Sequence, residues 1–162
     1  MEEAEGGIAW ALALERSAAG QMIRESLWLY PLANVVHVLG VMLLVGAIVV
    51  FDLRLLGVLR GARPADAAAI ALPVARLGFV LAVPTGAVLF LAEANGVVSN
   101  PVFLVKFAAI GIGLVNLIVF HLGSFRSIAL WSRPPRAARR AALISLLAWL
   151  TAAICGRFAA YV

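Results

Sequence analysis

Apolar residues run through this chain in four long blocks, separated by short stretches rich in glycine, proline, asparagine or arginine. The first block, Tyr30 to Arg54, reads YPLANVVHVLGVMLLVGAIVVFDLR and predicts a helix over about 31–53. At 1.5 Å rise per residue, about 20 apolar residues cross a hydrocarbon core roughly 30 Å thick, so this block can span a bilayer. Gly57, Gly61 and Pro64 then break the pattern and predict a loop from Arg54 to Asp66. A second helix is expected over about 73–92, with Pro84-Thr85-Gly86 at its middle predicting a kink. After a turn-rich connection from Glu93 to Pro101, a third helix is expected over about 101–124. The basic stretch 126–140, broken by Pro134-Pro135, leads to a fourth over about 141–158. The expected fold is all-α: an integral membrane four-helix bundle forming a single domain over residues 1–162.

Residues 7–28 follow a different pattern. Glu15, Arg16, Gln21, Arg24 and Glu25 lie too centrally for a spanning helix. An amphipathic helix at the membrane interface is expected instead, with Ile8, Trp10, Leu12, Leu14, Met22 and Ile23 on its apolar side. Trp28 and Tyr30 form an aromatic anchor, and Pro31 falls in the first turn of the next helix, where its missing N–H matters least. The acidic start Met1-Glu-Glu-Ala-Glu is unlike the positive end of a cleaved signal peptide.

Composition agrees with this class. Hydrophobic residues are 64% of the chain and charged ones 13%, against about half and a quarter in soluble domains. The net charge of +5 would suggest nucleic acid in a soluble protein, but the arginines sit in two loops. One loop holds Arg54, Arg60 and Arg63; the other holds Arg126, Arg133, Arg136, Arg139 and Arg140. The opposite side has only Arg16, Arg24 and Arg157. The excess of positive charge on cytoplasmic loops then predicts a bacterial inner membrane protein with both termini periplasmic, and no nucleic-acid partner. The single cysteine, Cys155, excludes an intramolecular disulfide and a multi-cysteine zinc or iron–sulfur site. No Gly-rich nucleotide loop, HExxH, CxxCH or Gly-x-Ser-x-Gly motif occurs, so no enzyme class is indicated. Four crossings are also fewer than an inverted-repeat transporter normally uses.

Ionisable residues inside a bilayer need a partner or a task. The first and third helices run in the same direction, so depths compare directly. His37 is six residues past Pro31 and Lys106 five past Pro101, while Asp52 is 21 past Pro31 and His121 20 past Pro101. This predicts an outer rung of His37 with Lys106 and an inner rung of Asp52 with His121, roughly 22 Å apart. Both rungs could face the bundle interior, and Arg54 and Asn116 join the expected inner polar cluster. One heme iron cannot take both histidines of a single chain, because they lie about 20 Å apart along the membrane normal. His37 is the better candidate iron ligand, with Gly40 offering a flat approach for a porphyrin. Lys106 is the candidate sixth ligand or propionate partner. Each residue also has a plainer reading, as an interhelical hydrogen bond, a snorkelling lysine or an inner-face ion pair.

Trp28-Leu-Tyr-Pro, His37-Val-Leu-Gly40 and Phe51-Asp-Leu-Arg-Leu-Leu-Gly57 resemble an uncharacterised family of small bacterial four-helix membrane proteins. Asn100-Pro-Val-Phe-Leu-Val-Lys106 through Asn116 to His121 extends that resemblance over roughly residues 25–160. More remotely, the layout is similar to the copper-resistance protein D superfamily and the heme-containing protoporphyrinogen oxidase. These carry a histidine in an early helix and a lysine opening a later one. The resemblance implies His37 as a heme ligand with Lys106 as its partner. The oxidase has a more aromatic and more basic surround at that histidine, so its activity is not carried over. The expectation is a small b-type heme electron-transfer protein or subunit that exchanges with a quinone or a periplasmic carrier. Rival expectations are an accessory subunit of a homo-oligomer or larger membrane complex, and a minimal proton or metal conduit through His37, Asn116, His121 and Asp52.

Overall fold

A computed structural model describes residues 2–159 and 161, with side chains from residue 9 onward, so the expectation for Ile8 lies outside the described residues. All regular structure among them is helical: α1 (Glu2–Glu15), α2 (Ala18–Glu25), α3 (Leu29–Leu56), α4 (Pro64–Ala92), α5 (Ala94–Ser99), α6 (Pro101–Leu122) and α7 (Arg136–Phe158). A 3-10 helix, Ser124–Leu130, lies between α6 and α7. α3, α4, α6 and α7 are each long and apolar enough to cross a membrane, which makes this a multi-pass membrane protein built on a four-helix bundle. The end where α3 meets α4 and α6 meets α7 carries the arginine-rich connections and is termed the basic end. The other is the capped end, because α1 and α2 cover part of it.

The four helices contact one another in the order α4, α3, α7, α6. α3 and α4 share the longest interface, while no Cα atoms of α4 and α6 come within 8 Å among the described residues. At the basic end the 3-10 helix touches α4, α6 and α7 and bridges that gap. Small residues explain the α3–α4 interface. Ala68, Ala71, Ala75, Gly78 and Ala82 form the buried stripe of α4. Without a hydrophobic drive between helices in lipid, close backbone approach over small residues supplies the van der Waals attraction. The approach is tightest where Gly78 packs between Gly40 and Leu44 of α3, since a Cβ on Gly78 would press on the Leu44 backbone nitrogen and lie 2.6 Å from the Gly40 carbonyl oxygen.

Two apolar clusters fill the bundle. Phe51, Leu55, Ala68, Ala71, Phe120, Ala138 and Ala142 form one near the basic end, with Phe125, Ile128 and Trp131 of the connecting segment against it. Leu44, Ala75 and Trp149 form the second at mid-bundle, with Ala47, Ile48 and Leu114.

The boundaries differ from expectation in three places. α4 starts at Pro64 rather than about 73 and runs through Pro73 and Pro84 without a break. Pro64 suits a first helical turn, Asp66 complements the N-terminal dipole, and three consecutive alanines follow. α7 likewise starts at Arg136, directly after Pro135. The expected single helix over 7–28 is two helices, because Ser17 caps a new start by accepting from the Gly20 N–H at 3.2 Å. The segment packs onto the bundle, as its apolar side allowed. The Trp10 ring is 6.3 Å from that of Phe90. Arg24 donates to the Ala92 carbonyl at 3.1 Å, and a Glu15 carboxylate oxygen accepts from the Asn95 N–H at 2.8 Å. The Tyr30 hydroxyl donates to Glu93 at 2.8 Å and ties α3 to the same end.

Candidate functional site

His37 sits on the capped half of α3 and turns toward α4. Its Nδ1 lies 2.9 Å from the Ala82 carbonyl oxygen and 3.3 Å from Thr85 Oγ1. A carbonyl only accepts, so Nδ1 carries the proton, and the neutral ring keeps its lone pair on Nε2. The Thr85 hydroxyl donates to the Leu81 carbonyl at 2.6 Å, which leaves its oxygen as a second acceptor for Nδ1. The ring lies against Gly86, where a Cβ would come within 2.9 Å of Cε1. Thus α4 fixes the imidazole with a carbonyl, a hydroxyl and a missing side chain.

Lys106 projects from the capped half of α6. Its ammonium lies 5.2 Å from the centre of the Phe103 ring, and its stem passes Gly156 of α7. Among the described residues it has no acidic partner within ion-pairing distance. His37 and Lys106 are not hydrogen-bonded to each other.

Gly40 requires a correction. The surface expected to receive a porphyrin is occupied by α4: a Cβ on Gly40 would meet Ala82 N at 2.7 Å and the Gly78 carbonyl oxygen at 2.9 Å. Gly40 is therefore a helix-crossing residue.

Toward the basic end, Asp52 is 3% exposed and is the one buried charged side chain among the described residues. Its Oδ2 has no hydrogen-bond partner. A cavity of about 40 Å³ adjoins it, with Asn116 and His121 of α6 and Ser145 and Trp149 of α7 in its walls. The expected ion pair of Asp52 with His121 does not form. His121 Nδ1 instead lies 3.0 Å from the Leu117 carbonyl of its own helix, and its ring stacks 4.5 Å from that of Phe125. Asn116 donates to the Ala141 carbonyl at 3.0 Å and links α6 to α7. Arg54 leaves this cluster altogether. Its Nε donates to the Ala62 carbonyl, and with Arg60 it lines a separate groove of about 610 Å³ between α3 and α4.

Sequence reasoning missed Ser145. The signal was present, because Ala138, Ala142, Ser145, Trp149 and Ala152 recur at helical spacing and share the inward face of α7. No family model, curated protein or solved structure matches this chain.

Proposed function

We propose that this protein is a small membrane redox protein that binds a b-type heme through His37, with Lys106 as the cationic partner of a heme carboxylate. The observation that supports this reading is the pair itself. Among the described residues, one half-buried imidazole is held through Nδ1 with its Nε2 lone pair unused, and one half-buried ammonium lacks a carboxylate. Metal-binding histidines characteristically donate their other ring N–H to a carbonyl or carboxylate, which fixes tautomer and orientation. An intramembrane cation with no acidic partner has a reason to meet an anionic ligand. His37 and Lys106 thus suit the group, whereas Gly40 does not take part. When bound, the heme supplies one-electron chemistry, and the chain supplies burial, axial ligation and electrostatics.

The remote resemblance to heme-bearing membrane proteins points the same way. Arginine placement assigns the basic end to the cytoplasm and the capped end to the periplasm of a bacterial inner membrane. His37 would then serve a quinone or a periplasmic carrier. A reduced-minus-oxidised visible spectrum of protein purified from heme-replete cells tests the reading. Soret and α bands at about one heme per chain, lost in His37→Ala and weakened in Lys106→Met, are expected. Heme-free protein, or an unchanged spectrum in His37→Ala, would end it.

A further inference from the structure

We infer that the cavity beside Asp52 is a proton-exchange site, in which His121 and internal water pass a proton between the basic-end solution and the Asp52 carboxyl group. This is independent of the His37 reading, since the two sites are roughly 22 Å apart along α3 and share no residue.

The starting point is the orphaned oxygen. A buried charge or polar group without a partner is strongly disfavoured, and native interiors satisfy nearly all such atoms with protein or ordered water. Asp52 Oδ2 is unsatisfied by protein and faces a cavity. That cavity of about 40 Å³ has room for about three waters at about 10–15 Å³ each. Polar groups for such waters come from Asn116, Ser145 and His121, satisfying the second requirement for internal water.

Access comes from one side. His121 is partly exposed, one residue before the end of α6, and lines the cavity. Its Nδ1 donates to the Leu117 carbonyl, so Nε2 is the nitrogen that can gain and lose a proton. Toward the capped end the cavity stops at Trp149, beyond which lies the mid-bundle cluster of Leu44, Ala75 and Leu114. Asp52 and His121 are the two titratable side chains in the cavity wall among the described residues. His121 is the one titratable group facing Asp52 from α6, and α7 presents Ser145 and Trp149 while α4 presents Leu72. In the uptake step, a hydronium ion of the basic-end solution gives its proton to His121 Nε2, leaving water and the imidazolium. Cavity water accepts that proton and delivers another to Oδ2, so the imidazole returns to neutral and the carboxylate becomes the acid. Release runs the same steps backward.

Infrared difference spectroscopy of the reconstituted protein between acid and alkaline pH tests this. A protonated-carboxyl C=O band is expected, shifted in protein labelled with 13C-aspartate and lost in Asp52→Asn. The chain has two aspartates, and Asp66 is exposed and paired with Arg63, so in Asp66→Asn protein the label reports Asp52 alone even if Asp52→Asn does not fold. His121→Phe should keep the band but slow its appearance after a pH jump. Absence of a label-sensitive band would overturn the proposal. So would an unchanged rate in His121→Phe, or an Asp52-dependent stabilisation by sodium, which would assign the cavity to a cation.

Discussion

Replacing Gly78 by alanine should loosen the bundle although the change adds a single methyl group. The new Cβ would stand 2.6 Å from the Gly40 carbonyl oxygen and 2.9 Å from Leu44 Cα, where ordinary contact begins at 3.4 Å. Both obstacles are backbone, so no rotamer relieves them. Clearing the Gly40 oxygen alone needs a lift of the difference between 3.4 and 2.6 Å, about 0.8 Å, and the still nearer Leu44 backbone nitrogen makes that a minimum. A gap of that size forfeits about a quarter to a half of the dispersion energy at each separated contact. Overfilling of this kind costs about 1–3 kcal/mol. Alanine's better helix propensity returns about 0.5–1 kcal/mol, leaving a net loss of up to about 2.5 kcal/mol with a central value of about 1 kcal/mol. Gly111→Ala is the control: nothing lies within 4 Å of its Cβ position, so only the propensity gain applies. The two variants should therefore move stability in opposite directions when unfolding in mixed micelles is followed by circular dichroism. The effect should also reach His37. Its 2.9 Å bond to Ala82, one turn beyond Gly78, would lengthen past hydrogen-bonding range and change the imidazole 15N shifts. Gly78→Ala proving at least as stable as Gly111→Ala would refute the close-crossing account of α3 and α4.

Three further outcomes follow from the same geometry. Trp149, 6% exposed and lying over Gly113, fills the mid-bundle, so Trp149→Ala should destabilise by about 3–5 kcal/mol in the same unfolding assay; a loss below about 1 kcal/mol would contradict its core role. Glu15→Ala removes the acceptor of the Asn95 N–H and the ion-pair partner of Arg24, and should weaken attachment of α1 and α2 by about 1–3 kcal/mol. Limited proteolysis should then cut near Ser17 sooner, with helical unfolding of the bundle unchanged; equal cutting rates would count against the cap. Asn116→Leu should cost only about 0.6 kcal/mol, the usual worth of an interhelical hydrogen bond in a membrane. A loss several times larger would mean that the amide also anchors water in the Asp52 cavity.

The bundle was legible because transmembrane length and hydropathy are strong signals, and Gly57 ended α3 where a left-handed turn, φ 86°, was needed. Helix starts were harder. Pro64 and Pro135 read as breakers, yet proline at a first helical turn begins a helix as readily as it ends one. The two polar rungs could be placed by counting residues, because depth along parallel helices is set by rise alone. Azimuth could not. Arg54 was grouped with Asp52 from proximity in sequence, but two residues along a helix are about 200° apart, and Arg54 turns away to bind Ala62. Gly40 shows the same limit, since a glycine leaves equal room for a cofactor or a neighbouring helix. Only the position of α4 decides between them.

Separation of the two polar sites constrains how they could work together. A conduit through the chain would need polar groups or water between His37 and Asp52, and that interval contains Leu44, Ala75 and Trp149 at the bundle centre. On the proposals made for the two sites, a proton at Asp52 equilibrates with the basic end and a ligand at His37 with the capped end. Any coupling must then act through α3 and its tight crossing with α4, which carries Asp52, Gly40 and His37 on one rigid element. Gly78→Ala forces α3 and α4 apart at the crossing and so loosens the His37–Ala82 bond directly, while Asp52 keeps its own surroundings. If the sites are coupled, the variant should shift both the His37 imidazole signal and the Asp52 carbonyl band. A shift confined to His37 would show that the two ends act independently.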